Sequence, residues 1–136
     1  MTRFVDTNVF LRALVRDDEA KWKRSLELFG RAERGEERLL TSESVVAEIV
    51  YVLASPVLYS LSRTEVTVRV RPFIEVRGLH VDHKTRILTA LDRYETTNLD
   101  FEDCLSVDYA LDAGCDAIYS HDRGSDRAPG VTRIEP

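Results

Sequence analysis

Short apolar runs alternate with longer amphipathic stretches along the whole chain. Arg3-Phe4-Val5-Asp6 predicts a short strand that ends on an acid. Residues 8–15 predict a helix, with Val9, Leu11 and Leu14 among its apolar positions. Asp17-Asp18-Glu19 is a helix-start signal, because carboxylates are favoured at a helix N-terminus. The helix that follows, to Arg34, repeats Trp22, Leu26 and Phe29 at i, i+4 and i+7, and Gly35 supplies its stop. Residues 38–41 predict a second strand. Ser42 to Ser44 can cap a helix to Ala54, broken by Ser55-Pro56. Ser62 or Thr64 opens another helix, to Val76. Residues 79–81 predict a third strand, and Asp82 or His83 precedes a helix to Tyr94. Asp100 precedes a helix to Ala113, stopped by Gly114. Residues 116–119 and 130–133 predict a fourth and a fifth strand.

Strands alternating with helices argue for an α/β domain with a mostly parallel sheet. No repeat, linker or low-complexity segment divides residues 1–136, so one domain is expected. Only residues 94–100 and 120–130 read as substantial loops. A ligand in such a sheet sits outside the C-terminal ends of the strands. Asp6 lies at one such end, and Asp122 lies just past another.

Composition sharpens this picture through its acids. The 136 residues carry 19 Lys and Arg against 24 Asp and Glu, a net charge of −5. That balance argues against a generic polyanion binder. Residues 98–126 hold eight acids and one base, Arg123, whereas the other 107 residues carry +2. Sixteen of the bases are Arg, which suits bidentate phosphate contacts. Two cysteines, Cys104 and Cys115, are too few for a disulfide framework. No signal-peptide pattern and no membrane-length apolar run occur, so the expected compartment is the cytoplasm, with both thiols reduced.

Four acids are candidates for chemistry. Asp6, followed by Thr7 and Asn8, reads as a helix cap or as a ligand at a strand end. Glu48 is the sole charge among Val, Ala, Ile, Tyr and Leu over residues 45–54. A helix that is apolar all round is buried, and a carboxylate there needs a partner or a cation. The alternative is a Glu at the rim of the core, paired with a distant Arg. Asp103 shares a stripe with Val107 and Ala110, which turns it partly toward the core, or it serves the helix dipole with Glu102. Asp122 is a ligand or a loop acid paired with Arg123, and Asp126 is a weaker candidate. Asp108 and Asp112 fall one turn apart on another stripe and are expected to be solvated.

Clustered carboxylates raise one another's pKa, and a divalent cation resolves the conflict. Oxygen ligands without a Cys/His cluster point to Mg²⁺ or Mn²⁺. His80, His83 and His121 have no metal-ligand spacing. No P-loop, GxGxxG, GxSxG or HExxH sequence occurs.

Four segments together resemble the PIN domain family, in particular its VapC-like toxin ribonucleases. They are Phe4-Val5-Asp6-Thr7-Asn8-Val9-Phe10-Leu11-Arg12, Ser44 to Leu53 around Glu48, Asp100-Phe101-Glu102-Asp103-Cys104-Leu105, and Ile118-Tyr119-Ser120-His121-Asp122-Arg123. Each is short, and their order and spacing carry the resemblance. It implies a three-layer α/β/α fold with a four- or five-stranded sheet in strand order 3-2-1-4-5. It implies a Mg²⁺ or Mn²⁺ site of Asp6, Glu48, Asp103 and Asp122, lined by Thr7, Asn8 and Ser120. It further implies an endoribonuclease, the toxin of a type II toxin–antitoxin pair, forming a homodimer and silenced by a cognate antitoxin. His121 departs from the aromatic or small residue common in relatives.

Metal-assisted phosphodiester hydrolysis does not need the RNA 2′-OH, so 5′-phosphate and 3′-OH ends are expected. Asp6 and Asp103 are the expected direct ligands, with Asp122 completing the site. Glu48 binds a second ion or orients the attacking water. Arg12, Arg16, Arg123 and Arg127 are candidates for holding phosphates. Trp22, Leu26, Phe29, Val66, Val70 and Phe73 are candidates for apolar partner faces. A PIN-like RNA- or protein-binding module without catalysis is the competing reading. A phosphatase or receiver domain fits less well, because Asp6-Thr7-Asn8 lacks a second Asp and the last lysine is Lys84.

Overall fold

Thr2–Phe4 forms β1, the first strand of a computed structural model that describes residues 1–124 and 130–136. Internal contacts divide the chain into two compact units, Met1–Lys84 and Thr85–Pro136. In the first, β1 lies parallel to β2 (Arg38–Leu40), which lies parallel to β3 (Leu79–His80), in the order β1-β2-β3. Leu39 and Leu79 are in register and face the core, each almost fully buried. β1 ends at Phe4, two residues before the expected end at Asp6. Val5 still donates to the Leu40 carbonyl at 2.8 Å, but Asp6 has already turned to cap the next helix.

That helix, α1 (Thr7–Leu14), buries Thr7, Phe10, Ala13 and Leu14. Val9 and Leu11, expected on the apolar face, are only half-buried. The phase is set by Phe10, whose ring lies 4.9 Å from that of Phe29. α2 (Glu19–Glu33) is capped by Asp18, which accepts from the Lys21 amide at 3.1 Å. It buries Ser25, Phe29 and Ala32, while Trp22 stays half-buried beneath the Arg16 guanidinium, 4.0 Å above its ring. Gly35 ends α2 as expected, at φ +81°, a left-handed conformation that glycine adopts without strain.

α3 (Glu43–Ala54) is capped by Ser42 and buries Val45, Val46, Ile49, Val50 and Leu53. It is not buried all round, however. Ser44, Glu48 and Tyr51 recur at helical spacing along an exposed face. α4 (Arg63–Ile74), capped by Ser62, contains Pro72 and ends two residues before the expected Val76. Val66, Val70 and Phe29, considered for a partner face, are core residues instead, and Phe73 packs edge-on against Phe29 at 5.0 Å.

The second unit holds α5, which starts at the unit boundary (Lys84–Thr96), α6 (Phe101–Asp112), β4 (Ala117–Tyr119) and β5 (Thr132–Ile134). The two strands are parallel, with Ile118 opposite Arg133. Ile87, Leu91, Tyr94, Phe101, Cys104 and Val107 are buried here, and the Tyr94 and Phe101 rings meet edge to face at 6.2 Å. Asp112 is exposed, as expected, and pairs with Arg86 at 3.0 Å. Asp108 is not solvated. It is 4% exposed, and its Oδ1 accepts from Arg93 Nη2 at 2.8 Å and Nε at 3.1 Å. A carboxylate can lie on that stripe only because α5 brings a guanidinium to it.

Candidate active site

In the first unit, the end of β1 and the start of α1 position Asp6 and Thr7. Asp6 has extended backbone angles, and its Oδ1 accepts from the Thr7 amide at 2.8 Å, so the capping reading of Asp6 is realised. Thr41 pins the preceding backbone by donating its hydroxyl to the Val5 carbonyl at 3.0 Å. Thr7 is buried and donates its hydroxyl to Glu48 Oε2 at 2.7 Å. That bond carries Glu48 of α3 to the residue that follows Asp6. Glu48 is therefore not a carboxylate sealed in an apolar helix, and among the described residues no Arg pairs with it. It is exposed, on the Ser44 and Tyr51 face, and held by a threonine. Asn8 is exposed in the first turn of α1.

In the second unit, the start of α6 and the segment after β4 position Asp103 and Asp122. Asp100 caps α6, its Oδ1 accepting from the Asp103 amide at 2.8 Å. Asp103 is half-buried, and its carboxyl pKa is pushed above the usual carboxylate range. Burial is the main cause, followed by the charges of Asp100, Asp122 and Glu102. Ser120 extends the β4–β5 ladder by donating its amide to the Ile134 carbonyl at 3.0 Å, and its hydroxyl accepts from the Asp122 amide at 3.0 Å. Asp122 Oδ1 in turn accepts from the Gly124 amide at 2.9 Å. A methyl group placed on Gly124 would lie 3.3 Å from Asp122 Oδ1 and 3.7 Å from Asp103 Oδ2. The two carboxylates thus flank one glycine. His121 and Arg123 are exposed, and Asp126 and Arg127 lie outside the described residues.

Within each unit the expected acids come together as pairs, Asp6 with Glu48 through Thr7, and Asp103 with Asp122 around Gly124. Among the described residues none of the four forms an ion pair with a base, including the expected Asp122–Arg123 pair. Arg16, a candidate for holding phosphate, is engaged with both Glu19 carboxylate oxygens at 2.7 Å. Asp100 is the acid whose influence sequence reasoning missed. Its signal is its position three residues before Asp103, which makes one residue both a cap and a charged neighbour.

The donors are all oxygens, which suits a hard divalent cation. Among the described residues no three His, Cys, Asp or Glu side chains are grouped so as to hold an ion by themselves. The fit lies in the charge at Asp103, where burial and three neighbouring carboxylates oppose ionisation and, among the described residues, no base pairs with it. No helix among the described residues is long and apolar enough to cross a membrane. Compared with protein-family models, residues 3–131 match the model described as PIN domain. No curated protein matches the chain.

Proposed function

The chain belongs to the PIN domain family, whose members are generally nucleases, and on that premise we propose that it is a Mg²⁺- or Mn²⁺-dependent endoribonuclease. In this reading residues 1–136 form one domain, with a three-layer fold and strand order 3-2-1-4-5. Asp6, Glu48, Asp103 and Asp122 act as one oxygen-donor set. The observation that carries the reading is the carboxylate crowding at Asp103, with Asp122 across Gly124.

A bound divalent cation would neutralise charge on the scissile phosphate and make its bound water a better nucleophile. The side chains divide the rest of the work. Asp6 and Asp103 are direct ligands, and Asp122 completes the set. Glu48, held by Thr7, orients the attacking water and accepts its proton. Asn8, Ser120 and Arg123 contact the RNA. Hydrolysis by water leaves 5′-phosphate and 3′-OH ends. The proposed biological role is the cytoplasmic toxin of a type II toxin–antitoxin pair, acting as a homodimer and silenced by a cognate antitoxin. Tyr51, Val57 and Leu58 leave apolar surface in solvent on α3 and the turn after it, which is available to such partners.

The test is incubation of the purified protein with structured RNA and Mg²⁺ or Mn²⁺, against EDTA and Asp6→Asn. Cleavage is expected only from the wild type with metal, with the stated ends. Cleavage that survives EDTA overturns the metal mechanism. Binding without cleavage across a broad RNA panel favours the non-catalytic module. Growth arrest on induction, relieved by Asp103→Asn, tests the toxin role.

A further inference from the structure

Helices α1 and α2 leave a groove of about 490 Å³ between them. Asn8, next in sequence to Thr7, is among its lining residues, with Arg12, Lys21, Arg24, Arg31 and Leu28. No acid lines it, although the chain as a whole is acidic. Lys21, Arg24, Leu28 and Arg31 share one face of α2, because i, i+3, i+7 and i+10 fall within a narrow stripe of a helix. At 1.5 Å per residue that stripe is about 15 Å long.

The four cations are not equivalent. Arg12 donates to Asp17 Oδ1 at 3.0 Å, and Arg31 reaches Glu37 at 3.4 Å. Among the described residues Lys21 and Arg24 make no ion pair, and both are exposed. The groove is also pre-shaped. Tyr59 donates to Asp17 Oδ2 at 2.9 Å, and Arg69 donates to the Leu14 carbonyl at 3.1 Å. Both bonds hold the α1–α2 turn from outside, so the two walls keep their spacing.

We infer that this groove is a track for the phosphodiester backbone of a single-stranded nucleic acid, leading it toward Asp6 and Glu48. It rests on the nuclease reading above and adds to it where the strand runs and which residues hold it. Lys21 and Arg24 carry the phosphate contacts. Asn8 marks the point where the strand passes from cations to carboxylates. An acidic chain thereby holds a polyanion through local charge, and the binding is salt-dependent.

The experiment measures binding of a fluorescent single-stranded RNA over a salt series. The protein carries Asp103→Asn with Mg²⁺ present, which keeps the RNA intact. Lys21→Gln/Arg24→Gln is compared with Lys23→Gln/Arg38→Gln, which removes the same charge from exposed sites outside the groove. Thermal melts confirm that both are folded. The groove pair is expected to weaken binding about tenfold near 100 mM salt and to flatten the log–log salt slope by about 1.4, two single-strand contacts. The control pair is expected to do neither. Equal losses from the two pairs reduce the effect to net charge and overturn the track. Unchanged binding by the groove pair also overturns it and leaves the groove to an acidic protein segment. Single-stranded DNA of the same sequence binds equally well if only phosphates are read, and weak DNA binding overturns a purely backbone track. Hydrolysis by otherwise wild-type protein is scored separately. RNA held through Lys21 and Arg24 without any cleavage sinks the nuclease reading and leaves the track standing.

Discussion

Thr7 Oγ1 donates to Glu48 Oε2 at 2.7 Å, joining the first residue of α1 to the middle of α3 across 41 positions. Thr7 is buried and Glu48 is exposed, so the bond fixes a carboxylate that water would otherwise let swing. Thr7→Val keeps the shape and removes the donor. Its expected effect is a fall in kcat on RNA of about tenfold, with KM little changed, because Glu48 loses its aim rather than its charge. Stability should fall by about 1 kcal/mol, less than is usual for a charged acceptor, since water can reach Glu48. Thr7→Ser should restore activity. Full activity in Thr7→Val means that the bond positions nothing.

The carboxyl of Asp103 protonates more readily in the folded chain than in the unfolded one. Such a group favours the fold at low pH, and that benefit is lost as pH rises through its folded pKa. Once ionised, Asp103 is therefore a net cost to the fold. In metal-free buffer Asp103→Asn should melt slightly higher than wild type, the gain being limited by solvent screening. The difference should vanish near pH 3. Millimolar Mg²⁺ should reverse the order, since ligand at ten times its Kd stabilises the wild type by about 1.4 kcal/mol. Melting curves with and without Mg²⁺ at the two pH values decide it. A wild type indifferent to Mg²⁺ removes the support for a cation at Asp103.

Arg93, half-buried, pairs with the buried Asp108, whose Oδ2 has no hydrogen-bond partner among the described residues. Breaking such a pair from one side strands a charge. Arg93→Leu should cost about 3–5 kcal/mol in urea unfolding. Asp108→Asn should cost less, because it leaves a neutral group. Arg93→Leu/Asp108→Leu should recover most of the loss, with RNA cleavage per folded molecule unchanged. A double variant as unstable as Arg93→Leu alone would show that packing, not charge, dominates.

Much of this architecture is legible in local chemistry. Gly35 and Gly114 mark helix ends because both take positive φ, and Ser42, Ser62 and Asp100 mark helix starts because each side chain accepts an amide. Helix phase is less legible where apolar residues exceed one face. Glu48 stands out as a lone charge, yet Ala47, Tyr51 and Val52 are apolar without being buried, so its helix could not be oriented from composition. Asp108 is misread for the opposite reason. Its stripe with Asp112 resembles a solvated face, and the guanidinium that permits burial lies 15 residues upstream. Lys21 and Arg24 escape notice because α2 carries charges all round, and only the approach of α1 distinguishes one face.

Gly78, just before β3, separates stability from chemistry. A methyl group on its Cα would lie 2.4 Å from the Ala32 carbonyl oxygen and 2.6 Å from that of Glu37. Both obstacles are backbone, so neither can rotate away. The close approach lets β3 reach its register, with Leu39 donating its amide to the Gly78 carbonyl at 2.8 Å. Gly78→Ala must shift β3 or the end of α2, and overpacking of this kind costs about 1–3 kcal/mol. Asp6, Thr7 and Glu48 make none of these contacts. The expected variant melts several degrees lower, yet cleaves RNA at the wild-type rate per folded molecule below its melting point. A melting point equal to wild type means that the Ala32 and Glu37 backbone yields freely.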